Sequence, residues 1–279
     1  MYGELLQYSI CAGEHVENND WLVFLTKDYI KDYPQLNNIQ TVWKDPLVAV
    51  ADAYDPRFIE LRAQVGPDHL LPQDLLPGAK SVVCYFLPFA SDIGRSNKPG
   101  QPCSDQWAFA YLETNRLIKD LNAHIEAELA RKGYLAAMTP ATHNFDEKTL
   151  LSNWSHRHIA VIAGLGTIGL NRMLITDQGC SGRLGSLVTD MPLAPTPCPS
   201  VSACLYLYNE SCLQCIKHCP QGALQENHFD RHKCYELLLQ NAEIHKDKGF
   251  ADACGKCVSH VPCSFINPVK KLLTKKSTH

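Results

Sequence analysis

Short runs dense in Val, Ile and Leu punctuate the first two-thirds of the chain: Leu47 to Ala51, Ser81 to Phe86, His158 to Ala163 and Gly185 to Thr189. Runs this short and this apolar predict strands buried on both faces. Between Asp105 and Lys132 the period changes. Trp107, Tyr111, Ile118, Leu121, Ile125 and Leu129 recur at spacings of three, four and seven, which predicts one amphipathic helix with Gly133 as its stop. Strands alternating with a long helix predict an α/β layer domain around a mixed sheet, whose strand order is not readable from the pattern. The pattern then breaks at Met191-Pro-Leu-Ala-Pro-Thr-Pro-Cys-Pro199, where four prolines suit an extended linker. The expected division is an α/β domain over 1–195 and a second domain over 196–279.

With 45% hydrophobic and 20% charged residues the chain has the composition of a folded domain. Its net charge of -3 argues against a dominant basic surface for nucleic acid. The start, Met1 to Cys11, lacks a basic then apolar leader, and no stretch approaches the length of a membrane span. A cytoplasmic protein without membrane contact is expected. This bears on the 13 cysteines, because a reducing compartment favours metal or redox chemistry over disulfides.

Four cysteines (Cys11, Cys84, Cys103, Cys180) precede the end of the linker and read as small buried hydrophobes; nine follow. A bacterial ferredoxin run has the form C-x2-C-x2-C-x3-C-P, its fourth cysteine serving the other cluster. In Cys212-Leu-Gln-Cys215-Ile-Lys-His-Cys219-Pro220 the last three cysteines and the proline are in place, with Asn209 at the first position. Cys204 is the nearest replacement, with Cys198 behind it. A looser run has Cys254-Gly-Lys-Cys257, then Cys263, with Cys234 as the displaced member. Crossed ligation predicts a C-terminal, bacterial-ferredoxin-like domain with two 4Fe-4S clusters, one on Cys204, Cys212, Cys215 and Cys263, the other on Cys219, Cys234, Cys254 and Cys257. A zinc ribbon is the rival, but it uses only four ligands.

The segment Ala163-Gly-Leu-Gly-Thr-Ile-Gly169 contains G-x-G-x-x-G after an apolar run. It fits a dinucleotide turn, with Asp190 about 20 residues on, or a tight turn that merely needs glycine.

Taken in order, Pro77-Gly-Ala-Lys-Ser-Val-Val-Cys-Tyr-Phe-Leu-Pro88, Ala163 to Asn171, Thr189-Asp-Met-Pro-Leu193 and the late cysteines resemble the epoxyqueuosine reductases and, more distantly, the corrinoid iron–sulfur reductive dehalogenases. The resemblance implies a nitroreductase-like domain that holds cobalamin, with Gly164, Gly166 and Gly169 letting backbone approach the macrocycle. His156, His158 and Arg183 are expected beside the cofactor. Electrons from a low-potential donor such as ferredoxin or flavodoxin would pass through both clusters to the cobalt. Two departures matter. Ala137, in Ala136-Ala-Met-Thr-Pro140, stands where the family has its catalytic Asp, and the chain ends at His279 without the further domain used on tRNA. The chain therefore reads as a short relative acting on a small molecule or a corrinoid protein, with tRNA not expected. Asp146 and His143 are the acids nearest the lost position. The alternatives are an electron-transfer activator of a corrinoid partner, and a small oxidoreductase subunit binding NAD or flavin at the glycines.

Overall fold

The computed structural model describes residues 2–100 and 102–276, with side chains from Asn18 to Lys275 apart from residue 101. In chain order the elements are α1 (Tyr2–Asn37), β1 (Leu47–Asp52), α2 (Arg57–Gln64), α3 (Pro72–Leu75), β2 (Ser81–Pro88), α4 (Ser91–Ser96), α5 (Asp105–Arg131), β3 (Ala136–Met138), α6 (His156–Ile162), β4 (Thr167–Ile168), β5 (Leu174–Ile175), β6 (Gly182–Thr189), α7 (Leu205–Asn209), α8 (Gln214–Lys217), α9 (Arg231–Ile244) and α10 (Pro268–Lys276). Among these helices none is long and apolar enough to cross a membrane. The side chain of Cys11 lies outside the described residues.

Three of the four expected strands form, and with the short β3 they make the main sheet. Its order is β1-β2-β6-β3 with every described pairing antiparallel, so the expected mixed sheet is corrected to an antiparallel one. β2 is central and buried along its whole length. Its side chains alternate between two cores: Val82, Cys84 and Phe86 face one, Val83, Tyr85 and Leu87 the other. On the first face α2 and α6 cover the sheet with Phe58, Leu61, Ile159 and Ile162. On the second, α5 presents Leu117, Ile118, Leu121, Ile125 and Leu129 together with Leu22, Ile30 and Tyr33 of α1. The Ser104 hydroxyl caps the start of α5 by accepting the Trp107 N–H, and Gly133 ends it in the left-handed region at φ 84°.

The run His158 to Ala163, expected as a strand, is instead the body of helix α6. Seven residues are too few for composition to separate the two periods, and the sheet face it packs on decides. Gly164 terminates this helix: it sits at φ 85°, its N–H reaches the Val161 carbonyl and the Leu165 N–H reaches that of Ala160. The glycine motif therefore follows a helix rather than opening one, which removes the dinucleotide turn.

The proline segment is extended as expected. It lies along the edge strand β1, where the Thr196 N–H bonds the Val50 carbonyl at 2.9 Å and the Thr196 hydroxyl accepts the Val50 N–H at 3.0 Å. Covering this edge satisfies backbone groups that would otherwise be open to pairing. Beyond it the described chain is short helices and loops, with one isolated bridge between Leu224 and Phe229 and no named strand. A ferredoxin-like sheet is thus not among the described elements. The segment shares a core with the rest of the molecule: Cys204, Cys215, Ala251 and Val258 pack with Phe89, Ile93, Trp107 and Tyr111.

Candidate cluster and cofactor site

Folding brings the late cysteines into two groups. Cys204, Cys212, Cys215 and Cys263 line one small cavity, with Asn171 beside them. Burial pushes the Cys215 thiol up to about 12, and the proximity of Cys263, Cys204 and Cys212 adds to the shift. In the second group, burial and then Cys254 and Cys219 push Cys234 up to about 11. Cys257 is raised by burial and then by Cys254, Cys234, Cys215 and Cys219, so the groups adjoin at Cys215 and Cys257. Burial makes the thiolates of Cys215, Cys234, Cys254 and Cys257 costly alone, and a cationic inorganic core would offset that cost. Among the described residues no three of His, Cys, Asp and Glu converge on a point that suits a single ion. Four thiols on one cavity are a donor set of the kind that holds a four-cornered cluster.

Cys198, the alternative to Cys204, is exposed and accepts a hydrogen bond from the Arg57 guanidinium at 3.3 Å, away from the first group. Cys84, Cys103 and Cys180 are buried, as expected of small hydrophobes. Lys256, between Cys254 and Cys257, is also buried. Its ammonium donates to the Asn97 side chain at 2.6 Å and to the carbonyls of Lys98 and Pro102 at 2.8 and 3.0 Å, which pins the second cysteine loop to the segment before α5.

A cavity of about 580 Å³, the size of a cofactor cleft, lies beside the second group. Cys234 lines it, as do His143, His156, His158 and Arg183; Phe86, Trp154 and Leu184 supply apolar wall. His156 Nε2 lies 3.0 Å from the Pro140 carbonyl and must donate to it; Nδ1 then accepts from the Ser186 hydroxyl at 2.8 Å. The Trp154 indole N–H donates to the same hydroxyl at 3.0 Å, so all three groups have fixed directions. Burial lowers the His156 pKa to about 4, and the imidazole is neutral. His158, bonded to the Ser155 hydroxyl at 2.7 Å, is lowered to about 4 by the same cause.

These shifts predict a pH dependence. With folded values near 4 and an ordinary value of 6.5, the unfolded chain binds protons that the folded chain does not, so stability falls as pH drops from 6.5 towards 4. For buried His156 the loss is on the order of 3 kcal/mol. His156→Gln is expected to shrink the difference between urea midpoints at pH 7 and pH 5; an unchanged difference would reject this origin.

Arg183 stacks its guanidinium over the Tyr111 ring at 4.4 Å, and its Nε is buried without a hydrogen-bond partner among the described residues. The Tyr111 hydroxyl donates to Asp252, and the other Asp252 oxygen lies 3.1 Å from His143 Nε2. Sequence reasoning missed Asp252, two residues before Cys254, because its partners stand 109 and 141 positions away. Tyr111 read as a core position of α5, and it is one; its hydroxyl has the second role. Asp146, by contrast, is exposed and caps its own loop, its Oδ1 accepting the Thr149 N–H at 2.7 Å and the Thr149 hydroxyl at 2.9 Å. These bonds hold its carboxyl below the usual range. Ala137 is a β3 residue paired with Val188.

The glycines stand elsewhere. Gly164 and Gly166 line a separate cavity of about 470 Å³, and Gly169 lines neither. The space a Cβ would take is filled by the chain itself: the Ile175 carbonyl oxygen stands 2.2 Å from it at Gly166, and an Ile175 side-chain carbon 2.6 Å from it at Gly169.

No protein-family model matches the chain. Among curated proteins, the epoxyqueuosine reductase of Bacillus cereus is 30% identical over 191 residues, 63% of this chain and 46% of that protein. The epoxyqueuosine reductase of Gloeobacter violaceus is 32% identical over 217 residues, 73% of this chain and 62% of that one. The chain is a relative of the epoxyqueuosine reductases. It spans about half the length of the curated relatives it matches. The fold agrees: a solved epoxyqueuosine reductase from Bacillus subtilis superposes with a TM-score of 0.52 at 20% identity, covering 87% of this chain and 66% of that one. A catabolic reductive dehalogenase in complex with 3-bromo-4-hydroxybenzoic acid gives 0.54 at 17% identity, covering 83% and 32%. A further solved epoxyqueuosine reductase (TM-score 0.50, 20% identity, 84% and 64% covered) carries an epoxyqueuosine-modified tRNA stem loop. The expectation against tRNA is not borne out.

Proposed function

We propose that the chain is an iron–sulfur reductase of the epoxyqueuosine reductase type, using cobalamin and two 4Fe-4S clusters. The observation that carries this reading is the gathering of eight cysteines into two groups of four, one of which borders the 580 Å³ cavity through Cys234. Kinship with the reductases supports it. Cys204, Cys212, Cys215 and Cys263 would hold one cluster, and Cys219, Cys234, Cys254 and Cys257 the other. The residues of the cavity suit a large amphipathic cofactor: Phe86 and Trp154 offer apolar contact, and Arg183 presents a buried N–H without a partner among the described residues. Cobalamin, when bound, supplies a low-potential cobalt centre for reductive cleavage.

The chain's own residues do the rest. Neutral His156, locked between Ser186 and Pro140, shapes the wall without adding charge. Reductive cleavage also consumes a proton, and His143 is the group to provide it, held by Asp252 and exposed to the cavity. In the reconstituted protein His143→Gln is expected to lower turnover about a hundredfold, whereas Asp146→Asn leaves it within about twofold. Equal loss in both variants would reject this assignment.

The test of the reading is anaerobic purification with iron and sulfide analysis, then titration with hydroxocobalamin followed through its visible bands. About eight iron and eight sulfide per chain are expected, with retained corrinoid. Iron near zero with stoichiometric zinc would overturn the clusters; failure to retain corrinoid would overturn the cofactor. An epoxyqueuosine-modified tRNA stem loop is the first substrate to assay, since relatives are named for that modification.

A further inference from the structure

We propose that Cys180 is a positioning residue for the first cluster, its thiol donating a hydrogen bond to the Cys263 sulfur and raising that cluster's reduction potential. This rests on the cluster reading above, with Cys263 as a ligand.

The contact is built by the backbone. The Cys180 N–H bonds the Cys263 carbonyl at 2.9 Å, and the Ser181 N–H bonds that of Ser264 at 2.9 Å. Gly179, at φ 86°, lets the strands of chain close: a Cβ there would stand 2.4 Å from the Ser264 oxygen. The two sulfurs are thereby held 3.8 Å apart, with Cys180 buried. Asn171 fixes the direction. Its Oδ1 accepts the Met173 N–H at 3.1 Å, so its Nδ2 is the donor, and that nitrogen reaches the Cys180 sulfur at 3.6 Å and the Cys257 carbonyl at 3.3 Å. With the Cys180 lone pair engaged and Cys263 a metal-bound thiolate, the only hydrogen between the sulfurs is the one on Cys180. A hydrogen bond to a ligand sulfur withdraws charge from a cluster and eases its reduction. Asn171 thus also ties the two groups together, touching the backbone of one and the thiol that serves the other. Cys180 lines the large cavity as well, so the first group reaches that wall through it.

The experiment is an EPR-monitored redox titration of the full chain reconstituted with iron and sulfide, as the unaltered protein, Cys180→Ala and Cys180→Ser, with iron counted in each. The wave of the first cluster is the one lost in Cys212→Ala. In Cys180→Ala that wave is expected to move to more negative potential while the other stays, with iron unchanged. Cys180→Ser, which keeps a donor, recovers part of the shift. An unmoved wave at full iron content would overturn the inference and leave the cluster reading standing. Loss of iron from Cys180→Ala would make Cys180 a ligand, and overturn it too. Iron absent from the unaltered protein would remove the cluster reading, and this inference with it.

Discussion

Cys215→Ala is expected to lower iron from about eight to about four per chain and to weaken the visible absorption of the clusters correspondingly. Cys215, buried like Cys204, is set at the start of α8 with Cys204, Cys212 and Cys263 around it and Cys257 of the other group adjoining. Among the described residues no other thiol is placed to replace it: Cys198 is engaged with Arg57 at the surface, and Cys180 approaches from the Cys263 side. The same position belongs to the core shared by Cys204, Val258 and Trp107, so losing the cluster also loosens the packing of the C-terminal segment. Faster proteolysis after residue 199 is the accompanying readout. Cys198→Ser is the matched control, with iron unchanged. Full iron in Cys215→Ala would contradict the ligand assignment.

Gly166→Ala is expected to destabilise the protein by about 3 kcal/mol, seen as a fall of roughly 10 °C in the thermal midpoint. The added methyl would stand 2.2 Å from the Ile175 carbonyl oxygen and 2.9 Å from its carbon. Both are backbone atoms anchored in the hairpin in which β4 pairs β5, so the neighbour has no rotamer to swing away. If the glycine instead serves cofactor approach, the variant folds normally and loses only corrinoid affinity. The two origins separate in an apoprotein melt, where only the packing effect persists.

The resemblance was sound at the level of family, and the glycines it singled out meet the chain's own atoms at close range. Glycine spacing records where the backbone needs room; it does not say what fills the room. At Gly166 the filler is Ile175, nine residues along. The strand expected at His158 to Ala163 went astray for a related reason. A seven-residue helix whose Ile159, Ala160 and Ile162 all face a sheet is as apolar as a strand buried on both sides. The first helix, by contrast, carried a usable signal: Leu22, Thr26, Ile30 and Tyr33 are buried at spacings of four, four and three.

The spacing of the cysteines, three of the four strands of the main sheet and the long helix ending at Gly133 were determined by the sequence alone. Each depends on short-range covalent spacing: a thiol three residues from another, an apolar stripe every third or fourth position, a glycine where the chain must turn left-handed. Tertiary structure decided whatever joins distant segments. It set Cys204 beside Cys212, Cys215 and Cys263, set Asp252 on His143 across 109 residues, placed the Cys180 thiol against Cys263 and separated the histidine-lined cavity from the glycines. Such contacts depend on the orientation of packed layers, which no local periodicity encodes.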